Sequence, residues 1–321
     1  MLTRRHSATL AAMLSMADAT NPTLGWNVAH DVAELVEYHF MINALLAGSI
    51  VALMAGAIGW LMVVRREAFA GHTLSMMAFP GAAGAALLGV PAAWGYFVVC
   101  GAGAAAIGGL SGGRRRSWAD QSAGIGTVQA LALALGFLFV SLYGGVLGDL
   151  EALLFGNLLG VSDGEVIVLA SVAATTLVAL AMLGRPLLFA SVDGDVAAAR
   201  GVPVRALSFA FVMLLGLAVA ATSQITGVLL VFALLVAPAA SAQAVTARPL
   251  ASIALTLLLG LLIVWLGLGL AYFSVYPAGF FVTAVAFAIY VIARAIGYAQ
   301  ARSRRDRGAL REPVPQPGAV I

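Results

Sequence analysis

The sequence predicts an all-α protein, a polytopic transmembrane helical bundle of about nine spans, and three observations lead there. First, 62% of the 321 residues are hydrophobic and only 10% are charged, where globular domains carry about 25% charged residues. With a mean hydropathy of +1.02, so much apolar surface cannot hide in one soluble core, and lipid must be the main solvent. Second, Ala, Leu and Gly dominate without the alternating pattern of barrel strands, so helices satisfy the backbone. Third, all 17 basic residues are arginine, and those that lie between apolar runs fall in every second connection. That spacing speaks of orientation by the positive-inside rule rather than of nucleic acid.

At about 20 residues per span, apolar runs lie near 41–64, 68–90, 92–110, 121–143, 164–183, 206–223, 227–247, 249–273 and 278–297. The first carries Gly48, Ala52 and Gly56 at every fourth position and stops at Arg65-Arg66; such small residues let helix backbones approach closely. The second contains Pro80-Gly81, expected to kink, break or pack the helix. The third holds Gly101, Gly103, Gly108 and Gly109 and ends before Arg114-Arg115-Arg116. After the fourth, the stretch 144–163 sets Asp149, Glu151, Asn157 and Asp163 around a short apolar core, more than a hairpin requires.

The fifth run gives way to RPLLFASVDGDVAAARGVPVR, residues 185–205. Asp193 or Asp195 can cap a helix there, the alanines form it, and Gly201 with Pro203 stops it. A cytoplasmic helix of about two to three turns, outside the bundle, is expected. Only TSQITG, residues 222–227, divides the sixth run from the seventh, and its polar residues with Gly227 allow a tight reversal. Pro238 marks a further kink or packing point in the seventh. The eighth follows Arg248, and the ninth runs into a tail with Arg302, Arg304, Arg305, Arg307 and Arg311. The connections at 91, 144–163, 224–226 and 274–277 hold no basic residue, which makes them external and puts the N-terminus outside.

The flanks divide the chain into 1–40, 41–297 and 298–321. Arg4-Arg5, a weak apolar stretch and Ala17-Asp18-Ala19 resemble a signal peptide with its cleavage site, the alternative being a disordered leader. Val32, Leu35, Val36 and Phe40 have the spacing of an interfacial helix. The last segment, Arg-rich and then carrying Pro313, Pro315 and Pro317, reads as a disordered cytoplasmic tail near anionic lipid. Cys100 is the single cysteine, so the chain has no internal disulfide and no cysteine-cluster metal site. The phosphate loop G-x-x-x-x-G-K-[ST] is absent, as is lysine altogether.

Four stretches then occur in order: EAFAGHTLSMMAFPGAAGAALLG at 67–89, LFGNLLGVSDGEV at 154–166, DGDVAAARGVPVR at 193–205 and ITGVLLVFALLVAPAASA at 225–242. Together they resemble the membrane permeases of metal-ion ABC importers, the family that moves zinc, manganese or iron(II). The resemblance implies a type II importer permease in a bacterial inner membrane. It further implies a second permease copy, cytoplasmic ATP-binding subunits and an extracytoplasmic metal-binding protein as partners. On this resemblance the segment near 193–204 is the helix that couples to the ATPase, with Asp193, Asp195, Ala197, Ala198 and Gly201 its candidate residues. The resemblance also implies that the chain binds no cofactor of its own and that a divalent metal, zinc first, is its cargo.

The segment GHTLSMM at 71–77 departs from the family, whose members read like GDALSHA there. His72 stands in the place of the Asp and Met76 in that of the His. Being four residues apart they share a helix face. Imidazole suits zinc, while thioether sulfur favours softer ions. With Asp149, Glu151 and Asn157 they form the candidate metal pathway, whereas Met77 reads as core filling. Two other functions compete. A secondary transporter couples through charged groups inside the membrane, and the spans hold almost none. An ABC permease for a chelate such as cobalamin or haem shares the architecture but needs a larger cavity and ten spans.

Overall fold

The computed structural model describes residues 35, 37–111, 118–143, 156, 160–274 and 276–309. Among them the chain forms α1 (His39–Val64), α2 (Ala68–Leu87), α3 (Ala92–Ser111), α4 (Trp118–Tyr143), α5 (Asp163–Val192), α6 (Gly194–Ala199), α7 (Val204–Thr226), α8 (Val228–Val245), α9 (Pro249–Tyr272) and α10 (Ala278–Ala309). No strand occurs among the described residues. The expected leader and most of the interfacial helix, the arginines at 114–116 and the candidate pathway residues Asp149, Glu151 and Asn157 lie outside them.

Each expected span coincides with a long helix, yet among the described residues seven helices are both long and apolar enough to cross a membrane. The exceptions are α2 and α8, whose described apolar part is Leu230–Val245. The reason for α2 lies in its neighbours. It packs against α3, α4, α7 and α8, so protein replaces lipid around it and residues such as Thr73 and Ser75 are tolerated there, both fully buried.

Side-chain contacts fix the directions of the helices. At one end His39 and Asn43 of α1 meet Asp163 at the start of α5. At the other, Arg65 just beyond α1 bonds Ser191 of α5 and Ser208 of α7, and the Gln243 amide of α8 donates to the Trp60 carbonyl of α1. Between α2 and α4, Thr73 donates to Gln129 while Gly84 lies beside Phe139, so these two helices run the same way with α3 returning between them. The long helices thus alternate in direction, and Arg65, Arg205 and Arg248 lie at one end, the cytoplasmic one by the positive-inside rule.

Pro80 does not break α2, which continues from Ala68 to Leu87, and α8 likewise runs through Pro238. Two helices differ in extent from the sequence expectation. Instead of stopping at 183, α5 passes Arg185 and Pro186 to Val192. The proline removes one backbone donor, and the fully buried Leu187 after it holds the extension against the bundle. Finally, α10 carries on through Arg302, Arg304, Arg305 and Arg307 to Ala309, because alanine and arginine propagate a helix already nucleated by its apolar part. Those first tail residues are therefore helical rather than disordered.

Small residues set the closest packing. The Gly48, Ala52 and Gly56 stripe of α1 faces α9, where Val264, Leu257 and Gly260 approach it. Two indole bonds close that seam, Trp60 to Ser252 and Trp265 to Ser49, each 2.9 Å. Between α2 and α3, Gly81 and Gly95 bring backbone against backbone. Gly81→Ala forces this pair apart and should destabilise by about 1–3 kcal/mol. Gly101→Ala on α3 meets open space and should be neutral or slightly stabilising. Thermal unfolding of the purified protein in detergent checks this, equal midpoints for the two variants being the contrary result.

Candidate functional site

The site grows out of the burial of α2. From Ala70 to Ala83 every residue is buried except His72 and Met76. They lie one helical turn apart, so a single half-open stripe interrupts an otherwise enclosed helix. Across from it, Phe232 of α8 meets the His72 ring edge-on at 4.7 Å between centroids. Phe232, Val236 and Ala240 are in turn half-buried at the same four-residue spacing, so the open stripes of α2 and α8 approach each other at this aromatic contact.

Hydrogen bonds to α4 and α3 fix the rotation of α2 and with it the position of the stripe, and one bond lies within α2 itself. The Thr73 hydroxyl donates to the Gln129 side-chain oxygen on α4 at 3.0 Å. The Ser75 hydroxyl donates to the His72 carbonyl at 2.7 Å. From α3, the Cys100 thiol donates to the Leu74 carbonyl at 3.6 Å. Cys100 is fully buried, a packing residue as its surroundings in the sequence imply. Met77 is also core, resting on Gly103, and the adjacent methionines thereby separate into one packed side chain and one half-open.

The stripe carries one imidazole and one thioether. His72 Nδ1 is itself buried and has no hydrogen-bond partner. Met76 offers its thioether sulfur. Pro80, one turn on, has no N–H to give to the Met76 carbonyl, and that oxygen loses its helical partner. Among the described residues no group of three His, Cys, Asp or Glu side chains lies close enough together to hold a metal ion. A single chain therefore supplies an incomplete set at this place, with Pro80 and Gly81 shaping the helix rather than acting as side-chain ligands.

The cytoplasmic segment is built just as locally. Asp193 caps α6, its carboxylate accepting from the Val196 N–H at 3.0 Å. The helix has only six residues, shorter than expected. Gly201 at φ +81° ends it, and the Gly201 and Val202 N–H groups close the turn onto the Ala198 and Ala197 carbonyls. Ala197 is fully buried and faces the bundle, so it is no docking residue. Asp195, Val196, Ala198 and Ala199 face outward, and Val192, just before α6, is 85% exposed. An exposed apolar side chain at that point was not singled out from the sequence, because Val192 reads there as the tail of a connecting loop. Gly227 joins α7 to α8, and Pro238 is buried within α8.

Sequence reasoning also missed the external junction of α1 and α5. Asp163 Oδ1 accepts from Asn43 at 2.6 Å and pairs with His39 at 3.0 Å. The local half of that junction is legible as a capping box, Ser162 with Glu165. Its long-range half leaves no pattern.

Comparison with known proteins agrees with this arrangement. Residues 37–297 match the ABC 3 transport family. The chain is 31% identical over 242 residues to the manganese transport system membrane protein MntC of Halalkalibacterium halodurans, covering 75% of this chain and 81% of that one. It is 30% identical to the manganese import system permease protein ScaB of Streptococcus parasanguinis, over 65% and 73% of the two chains. In structure it is similar to PsaBC of Streptococcus pneumoniae in complex with Fab, with a TM-score of 0.71, 29% identity, and coverage of 83% of this chain and 95% of that one. Because the family match includes both the enclosed α2 and the exposed α6, the chain belongs to the ABC 3 transport family, as a multi-pass inner-membrane permease subunit of a bacterial metal-ion ABC importer, without an ATPase site of its own.

Proposed function

We propose that this chain forms, as a homodimer, the translocation pathway of an ATP-driven importer whose cargo is zinc. Cytoplasmic ATP-binding subunits drive it, and an extracytoplasmic metal-binding protein delivers the ion. The observation that carries the metal reading is the stripe of His72 and Met76, the sole half-open side chains along Ala70 to Ala83. An imidazole nitrogen and a thioether suit zinc or a softer ion better than manganese, which prefers oxygen ligands. Two copies facing each other would supply two imidazoles and two thioethers without a carboxylate, and Asp149, Glu151 and Asn157 would offer oxygen ligands on the external approach.

Transport then proceeds by alternating access. Closure of the ATP-binding subunits pushes on the segment 193–204, and the bundle changes the side to which the stripe opens. An ion in transit must be held loosely enough to leave, and an incomplete ligand set does this. A second reading, manganese, rests on the similarity to MntC and ScaB and on the Met76 carbonyl as an oxygen ligand.

Uptake of zinc, manganese and iron(II) into vesicles carrying the complete complex separates these readings. His72→Asp and Met76→His restore the family's residues: the first replaces nitrogen by oxygen and should move preference toward manganese by about tenfold, and the second replaces the thioether by imidazole and should move it from softer ions toward zinc. Identical ion profiles in wild type and both variants would return the stripe to simple packing. For the coupling segment, Ala198→Glu places a charge on its exposed face and should abolish uptake while membrane insertion stays normal. Wild-type uptake by that variant would remove α6 from the drive mechanism.

A further inference from the structure

We propose that Arg65 and Glu67 are positioning residues for transport, a clamp that carries movement of the α6 segment to α2. The proposal rests on the coupling role of residues 193–204. Its basis is that one guanidinium touches both flanks of that segment and the residue that starts α2.

The contacts are these. Arg65 Nη1 donates to the Ser191 hydroxyl at 3.3 Å, and Nη2 to the Ser208 hydroxyl at 2.8 Å. Nε and Nη2 both donate to Glu67 Oε1, at 3.1 and 2.9 Å. The guanidinium carbon lies 5.0 Å from the centre of the Phe211 ring of α7. Ser191 stands two residues before Asp193, Ser208 four after Val204, and Glu67 directly before Ala68, the first residue of α2. His72 follows one and a half turns later.

The turn between α1 and α2 is built to present this pair. Arg66 has φ +59°, the one positive value outside glycine among the described residues, a conformation that carries strain. It ends α1 by letting the Arg66 and Glu67 N–H groups bond the Val63 and Met62 carbonyls. Glu67 is thereby turned back under Arg65. Both side chains are largely covered, 8% and 18% exposed, and Glu67 Oε2 is buried without a partner. Burial pushes the Glu67 carboxyl up, while the charge and hydrogen bonds of Arg65 pull it back down.

Stability does not account for such a pair. A covered ion pair contributes little beyond what well-packed apolar residues of the same volume would, because desolvation offsets the attraction. What it provides is direction: the planar fork of arginine holds several acceptors in fixed relation. The end of α5, the start of α7 and the start of α2 are thus linked through one rigid group. A push on α6 shifts its flanks, and Arg65 transmits that shift to the helix bearing His72 and Met76.

The test uses the full chain assembled with its ATP-binding subunits in vesicles, reading metal uptake and ATP hydrolysis together. Ser191→Ala with Ser208→Ala removes the two tethers and leaves the Arg65–Glu67 pair. Arg65→Lys keeps the charge and removes the fork. Both variants should assemble and hydrolyse ATP within about twofold of wild type, yet move about tenfold less metal for each ATP hydrolysed. Wild-type uptake per ATP in the double serine variant would overturn the clamp. So would a parallel fall of uptake and hydrolysis in proportion to folded protein, which is what a purely structural staple gives. Ala198→Glu separates this from the coupling reading: if it uncouples transport while the serine variant does not, only the clamp fails. If it transports normally, the coupling reading fails and the clamp with it.

Discussion

The absence of water from the hydrocarbon layer governs this chain, because a backbone N–H or C=O left unpaired there costs several kcal/mol. Each crossing is therefore one continuous helix, and Pro80, Pro186 and Pro238 sit within helices that go on past them. Several polar side chains in the spans also bond within their own helix. The hydroxyls of Thr222, Thr226, Ser241 and Thr256 each donate to a carbonyl four residues back in their own helix. Even the reversal from α7 to α8 uses a single residue, Gly227, at φ +75° and ψ 162°. A side chain cannot adopt that conformation without strain, so glycine makes the turn possible with no polar loop.

Helix association within lipid has little hydrophobic drive, and close packing takes its place. That explains why glycines mark the seams, α1 on α9 and α2 on α3. It also explains the site. When four neighbours enclose α2 this closely, any position left half-open stands out, and only His72 and Met76 do so along Ala70 to Ala83. The chemistry of the stripe follows from two residues, but their exposure is a property of the surrounding packing.

The sequence makes the spans legible because hydropathy depends on composition alone, and it makes α6 legible because Asp193 and Gly201 act within a few residues of each other. Between those two signals α6 has six residues, fewer than the roughly two to three turns expected, because the turn onto the Ala197 and Ala198 carbonyls closes at Gly201. Periodicity also put His72 and Met76 on one face but could not say that this face is the open one, or that Met77 is sealed against Gly103. The pairing of Arg65 with Ser191 and Ser208 spans more than a hundred residues, and serines in a helix give no local sign of such a partner. Burial, partner identity and long-range contact are the parts that only the folded chain supplies.

A pathway of this kind must reconcile two demands that act on the same helix. The ion needs ligands, but four good ones in a closed tetrahedral shell make a site of the structural type, which holds its zinc. Drive from outside the bundle needs stiffness, yet a helix fixed on every side cannot move. In this protein α2 meets both by being asymmetric. Along Ala70 to Ala83 it is held by Thr73, Leu74 and Gly81 against α3 and α4 and half-open at His72 and Met76. At its beginning it is joined through Glu67 to Arg65 and the ends of α5 and α7. The covered side gives stiffness, the half-open side keeps the ligand set incomplete, and the polar junction at its base is the place where a displacement outside the membrane can enter it.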